Sequence, residues 1–139
     1  MSRIGRITAL RAVAVAGLGG VAVLHAAWAR GSSFPARDRS SLADHVAGRE
    51  TMPGALPCLA VAAALTTAAA VVGGAPVRRR RAAVAATSAA LLARGAVGLA
   101  AGMPTPTGST RFRRLDRALY SPACLVLGAA ALTGLRKRW

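Results

Sequence analysis

Long uncharged runs separated by clusters of arginine dominate the pattern of this chain. Ala12 to Ala29 is 18 residues without a charge, and it extends back to Ile7 if the Arg11 side chain snorkels to an interface. Ala55 to Val77 is 23 uncharged residues, and Ala118 to Leu135 is another 18. At ~1.5 Å per residue, 18 residues span roughly 27 Å, which crosses a hydrocarbon core of ~30 Å with little tilt. A fourth run, Ala82 to Gly102, is interrupted by Arg94. A central Arg costs about 2.5 to 3.5 kcal/mol on insertion, whereas each of Val84, Leu91, Leu92, Val97 and Leu99 returns about 0.3 to 0.6. That segment inserts only with neighbouring helices or with Arg94 able to reach water, and its flanks, Arg78 to Arg81 and Arg111 to Arg114, bound it as a span. The expected fold is all-α, a four-transmembrane-helix bundle with spans at approximately 7–29, 55–77, 82–102 and 118–135 in a single integral membrane domain over 1–139.

The N-terminus also imitates a cleavable signal peptide, with Arg3, Arg6 and Arg11, an apolar run and then Ala27-Trp28-Ala29. Its apolar run exceeds the ~7 to 15 residues of such a region, so it reads as a retained span. Between the first two spans, Gly31-Ser32-Ser33-Phe34-Pro35 supplies turn chemistry, and Ser41-Leu42-Ala43-Asp44 reads as a capping box that opens a short helix through Val46. Met103 to Gly108, rich in Pro and Thr, reads as a simple turn region.

Composition changes the picture by exclusion. Nineteen Lys and Arg against 4 Asp and Glu give a formal net charge of +15, yet 54% of residues are hydrophobic. A disordered basic tail lacks such apolar content, and a compact nucleic-acid domain does not carry uncharged runs of about 20 residues. With 4% aromatic residues and basic residues spread over both membrane faces, nucleic acid is not an expected partner. Only one of the 19 basic residues is Lys and 35 residues are Ala, a bias that coding composition produces as readily as selection, so abundant Arg alone carries no function.

Placed on four spans, the charges set an expected orientation. The termini and the second loop hold Arg3, Arg6, Arg11, Arg78 to Arg81, Arg136, Lys137 and Arg138, ten basic residues and no acid. The other side holds eight basic residues with all four acids, Asp38, Asp44, Glu50 and Asp116. The four-residue arginine loop abutting two spans is the stronger signal, and both termini are expected to be cytoplasmic in a multi-pass protein of the cell membrane. Anionic headgroups are the expected partners of these charges.

Counting along the helices brings the chemistry-bearing side chains to one depth. His25 lies ~6 Å inside the outer end of helix 1 and Cys58 ~4.5 Å inside helix 2, while Tyr120 and Cys124 lie ~3 and ~9 Å inside the last helix. Arg94 is ~12 Å from the outer end of its helix and reaches that layer through its side chain. Asp116, Tyr120 and Cys124 recur at i, i+4 and i+8, so they form one stripe on the entry to the last helix. His25 and Trp28 share a face, and Arg94 sits on a small-residue face with Gly98 and Gly102, so it points into the bundle toward Asp116 or a loop acid such as Asp38. Each has a bland alternative: a structural ion pair for Arg94, interfacial anchoring for His25, Trp28 and Tyr120, and apolar filling for Cys58 and Cys124, whose pairing in a disulfide requires adjacent helices.

His25-x-x-Trp28, Gly31, Phe34-Pro35, Arg94-Gly95, Phe112, Leu115-Asp116-Arg117 and Leu119-Tyr120-Ser121-Pro122-x-Cys124 form a pattern that runs nearly the whole chain. It resembles a family of small bacterial four-helix membrane proteins catalogued only as a domain of unknown function. The resemblance implies a membrane location and four helices and adds no activity.

No Walker loop, GxSxG, HExxH or CxxC motif occurs, and no catalytic residues, cofactor or metal site are assigned. The expectation is a non-enzymatic protein whose outward-facing polar pocket, built from His25, Trp28, Arg94, Asp116 and Tyr120, binds a small ligand or partner. Two alternatives stand beside it: an accessory subunit packing on a larger membrane complex through Gly98 and Gly102, and a thiol or metal oxidoreductase using Cys58 and Cys124, with His25 as a third ligand of plausible type.

Overall fold

The computed structural model of the chain describes residues 2–136, so the charges expected at Lys137 and Arg138 lie outside the described residues. The described residues are helical and contain no strand: α1 (Arg3–Ala29), α2 (Arg39–Ala47), α3 (Ala55–Gly73), α4 (Arg80–Ala100), α5 (Thr110–Leu115), a π-helical turn (Asp116–Tyr120), α6 (Ser121–Ala131) and a closing 3-10 turn (Leu132–Leu135). The last four run on as one rod, Thr110–Leu135, and it joins α1, α3 and α4 as a helix long and apolar enough to cross a membrane.

The ends of these rods differ from the sequence expectation for local reasons. Ser2 caps α1, its hydroxyl accepting from the Gly5 N–H at 3.1 Å, so the helix begins at Arg3 and not at Ile7. Arg11 does not snorkel outward: its Nη2 donates to the Thr133 carbonyl at 3.0 Å and ties α1 to the closing 3-10 turn. The second span ends at Gly73 and not at Val77, because Gly74 takes a left-handed φ of 117° and turns the chain. Arg80 then opens α4, two residues before the expected start, and its Nε and Nη2 donate to the Val71 and Val72 carbonyls at 3.0 and 3.4 Å. Those are carbonyls of the last turn of α3, where Val71 also accepts from the Gly74 N–H at 3.2 Å. The last rod starts at Thr110, eight residues before Ala118, under a Ser109 cap whose hydroxyl accepts from the Phe112 N–H.

The expected capping box at Ser41 is displaced by one turn. The N-cap of α2 is Asp38, whose Oδ1 accepts from the Ser41 N–H at 2.7 Å, so Ser41 is the capped residue and not the cap. The Ser41 backbone N–H, then its hydroxyl, holds the exposed Asp38 carboxyl below its ordinary value. A lowered carboxyl pKa favours the folded helix above the unfolded value and loses that contribution as pH falls through the folded one, so the cap is intact at neutral pH. Gly48, at a φ of 59°, ends α2.

α1 packs closely on α3 and α4 on the last rod; α1 also meets α6, while α3 and α4 touch far less. Loop order makes each of these neighbours antiparallel. Leu18, Val72, Val84, Ala14 and Ala131 form the core of the half nearer the termini. In lipid, helix association relies on close van der Waals packing, for which small residues make room. A Cβ on Gly95 would lie 2.7 Å from both Leu125 Cγ and the Ser121 carbonyl, whereas one on Gly20 of α1 would meet nothing within 4 Å.

Gly95→Ala should therefore destabilise the detergent-solubilised protein by about 1–3 kcal/mol through overpacking. Gly20→Ala should leave it unchanged or raise its stability by up to about 1 kcal/mol. Thermal unfolding of the two variants checks this, and equal shifts would contradict the packing of α4 on α6.

Candidate functional site

The π turn creates the polar centre of the bundle. Pro122 has no N–H to give and its ring crowds the carbonyl four residues earlier, so a regular helix cannot run through Ala118 to Pro122. The chain widens instead, and the Ser121 N–H bonds the Asp116 carbonyl five residues back. That extra residue brings Asp116 and Ser121 onto one face. The Ser121 hydroxyl donates to Asp116 Oδ2 at 3.1 Å, and both residues are fully buried. The stripe expected for Asp116, Tyr120 and Cys124 is thereby split: Asp116 turns toward α4, while Tyr120 and Cys124 line a cavity.

Arg94 Nη2 pairs with Asp116 Oδ1 at 2.5 Å, and Arg94 Nη1 donates to the Ser121 hydroxyl at 3.3 Å. Asp116, and not Asp38, is thus the counter-charge of the arginine inside the third span. Gly98, one turn further along α4, is obligatory here. A Cβ there would overlap the Ser121 hydroxyl and stand 2.8 Å from both Arg94 Nη1 and Asp116 Oδ2. Gly98 accordingly faces α6 within the chain, and Gly102 terminates α4 at a φ of 73°. The small-residue face expected to receive another subunit is occupied internally at Gly98.

A cavity of about 530 Å³ opens among α1, α3, α4 and α6 beside this pair. His25, Trp28, Cys58, Arg94, Tyr120 and Cys124 all border it, while Asp116 stands behind Arg94. Trp28 is buried, donating from Nε1 to the Phe34 carbonyl at 2.7 Å, and its ring lies 4.7 Å from that of His25. Because a carbonyl only accepts, the 2.9 Å contact of His25 Nδ1 with the Val21 carbonyl places the proton on Nδ1. Cys58 is buried, with Sγ directed to the Pro53 carbonyl at 3.8 Å; both cysteines are free thiols. Among the described residues no group of three His, Cys, Asp or Glu side chains could hold a metal ion, so His25, Cys58 and Cys124 do not form one.

α2 closes the cavity at the end away from the termini, where Val46, Ala47, Met52 and Pro53 also line it. Leu42 packs with Trp28 and Cys58 beneath the helix. Polar contacts secure it: the Tyr120 hydroxyl donates to the His45 carbonyl at 3.1 Å, Arg111 Nη1 donates to His45 Nε2 at 2.9 Å, and the Thr107 hydroxyl donates to the Gly48 carbonyl at 2.8 Å. The loop read as a simple turn is therefore part of the cover. Arg39 Nη1 adds bonds of 3.1 Å to the Trp28 and Ser32 carbonyls. Sequence reasoning gave no role to Ser121, His45 or Arg39, although Ser121 stands in the pattern that carries the resemblance; Pro122 inside a span was the signal for Ser121, whereas no spacing marks the other two. A separate shallow concavity along Thr110, Arg113, Arg114 and Arg117 lies on the outside of the last rod and presents a solvated basic face.

Four apolar rods long enough to cross a membrane, with an ion pair among them whose carboxylate is fully buried, define a multi-pass membrane protein. The chain belongs to the family described as protein of unknown function DUF3995, whose model matches residues 18–131. No curated protein and no solved structure matches it.

Removing the guanidinium leaves the fully buried Asp116 carboxylate uncompensated, so Arg94→Leu should cost about 3–5 kcal/mol. Arg94→Leu combined with Asp116→Ala should recover a large part of that loss. A double-mutant cycle in unfolding free energy checks the coupling; simple additivity of the two single changes would contradict the pair's role.

Proposed function

We propose that this is a non-enzymatic protein of the cell membrane that binds a small amphipathic ligand in the cavity beneath α2. The observation that carries the reading is convergence: side chains from α1, α3, α4 and the last rod, scattered from His25 to Cys124, border one space of about 530 Å³. Sites for small ligands have this size and make-up, mostly apolar walls with a few polar groups. The cover and the walls are built for enclosure. Trp28, Tyr120 and Arg39 direct their polar atoms to backbone carbonyls and fix the shape of the space.

Both termini are cytoplasmic in this reading, and α2 faces outward. Its support is the arginine-rich turn between α3 and α4, together with Arg3, Arg6 and Arg136 at the same end, with no acid there. The basic face of Arg113, Arg114 and Arg117 then meets lipid headgroups on the opposite side.

Ala123 borders the cavity and is exposed, so Ala123→Phe adds a ring at the cavity wall while leaving Arg94, Asp116 and Ser121 unsubstituted. Organic extraction of purified protein, followed by mass spectrometry, should recover a small molecule that is depleted roughly fivefold or more in Ala123→Phe. Equal recovery from the two proteins would remove the binding reading. For orientation, a green fluorescent protein fused to the C-terminus should fluoresce in the cytoplasm; an alkaline phosphatase fused there and active outside would reverse the topology.

A further inference from the structure

The cavity combines three features that together select a ligand class. Its charge is balanced, because Arg94 is neutralised by Asp116 at 2.5 Å and Asp116 is itself fully buried. A charged headgroup placed here would therefore lack a free counter-charge and lose its hydration. Its hydrogen-bonding capacity is not exhausted. A guanidinium carries five N–H donors, and Arg94 directs Nη2 to Asp116 and Nη1 to Ser121. With Nδ1–H directed to the Val21 carbonyl, the His25 imidazole offers Nε2 as an acceptor. Donor and acceptor thus border one space.

Its polarity is also graded along the bilayer normal. His25, Cys58 and Tyr120 rim the end beneath α2, and each is seven residues, roughly 10 Å, from a leucine of the floor on its own rod: Leu18, Leu65 and Leu127. α3 and α4 touch far less than the other neighbouring helices and are tied at their joined ends, where Arg80 donates to the Val71 and Val72 carbonyls. Further along, Val61 of α3 and Leu91 and Arg94 of α4 border the cavity, and Val61 is 42% exposed on a helix apolar enough to face lipid.

Resting on the binding reading above, we infer that the occupant is an uncharged membrane amphiphile drawn from the bilayer, its head both donating and accepting hydrogen bonds at Arg94 and His25, its apolar body on the leucine floor. A monoacylglycerol has this chemistry: a neutral head with hydroxyl and ester groups on one acyl chain.

Trp28 borders the cavity, and Trp139 is the other tryptophan of the chain, so a Trp139→Phe background makes Trp28 the reporter. In nanodiscs of fixed phosphatidylcholine composition, mid-chain brominated monooleoylglycerol, oleate and oleylamine are titrated as quenchers of Trp28. The neutral probe should quench saturably, at a mole fraction roughly tenfold lower than either charged probe. Ala123→Phe, or Val61→Phe from the opposite wall, should abolish the saturable component. Saturable quenching with equal affinities, or with preference for oleate or oleylamine, would overturn the neutral-head assignment and leave cavity binding standing. Quenching that rises only linearly with mole fraction for all three probes, and is the same in both filled variants, would overturn the assignment and the binding reading together.

Discussion

The contact between Arg94, Asp116 and Ser121 organises the upper half of the bundle. An unpaired guanidinium inside an apolar span would have to be dragged to an interface, and an unpaired carboxylate as deeply buried as Asp116 would be still less tolerable. Joining the two lets the helix that carries Arg94, which inserts only with a neighbour, enter paired with the last rod. The surrounding sequence serves this geometry. Gly98 leaves the volume that the three side chains occupy, Gly95 lets α4 approach the Ser121 carbonyl, and the widened turn before Pro122 rotates Asp116 and Ser121 onto the same face. Buried ionic contacts are weak evidence for stability in themselves, since well-packed apolar groups often do as well. What this one supplies is register: only one axial alignment of α4 against the last rod brings all three groups together.

The cavity follows from that register and from unequal packing. α1 packs closely on α3 and α4 on α6, whereas α3 and α4 touch far less and are tied by Arg80 where their turn joins them. Two tight antiparallel pairs joined through α1 and α6 close the terminal half, where Leu18, Val72 and Val84 are fully buried. Toward α2 the same helices leave a gap, because their facing residues include small ones such as Ala123 and because the guanidinium holds its position against Asp116 and not across the space. α2 is then needed. It lies over the open end with Leu42 and Ala43 fully buried, and it closes a space that four spans alone leave accessible.

Much of this was legible in the linear chain, and the parts that were not share a cause. Uninterrupted apolar length located three of the rods, because a run of about 20 uncharged residues has few other fates, and the flanking arginine clusters bounded the one that Arg94 interrupts. Depth counting brought His25, Cys58, Arg94, Tyr120 and Cys124 to one layer, since the rise per residue is fixed once the helices are antiparallel. Azimuth was less accessible. The i, i+4 spacing of Asp116 and Tyr120 implied a shared face only for a regular helix, and Pro122 made it irregular. The ends of the rods moved for similar reasons: Ser2, Asp38 and Ser109 each cap a helix from a position that hydropathy does not mark. The bonds of Arg11 to Thr133 and of Arg39 to Trp28 and Ser32 join residues with no periodic relation.

Arginine therefore has several distinct duties in a chain where it first looks like a uniform coat of positive charge. Arg80 and Arg11 satisfy carbonyls at the ends of helices, Arg39 and Arg111 secure the cover, and Arg94 carries the internal pair. A planar group with several fixed donors can bridge more than one acceptor, which a lysine ammonium does with less geometric definition. Helix ends within or near a membrane leave carbonyls that water reaches poorly, and each arginine that turns inward relieves some of them. The positive charge of these residues is engaged by the chain's own backbone, by His45 and by one buried acid. The charge left facing outward gathers in the turn before α4 and along the last rod, at the two ends of the bundle where headgroups lie.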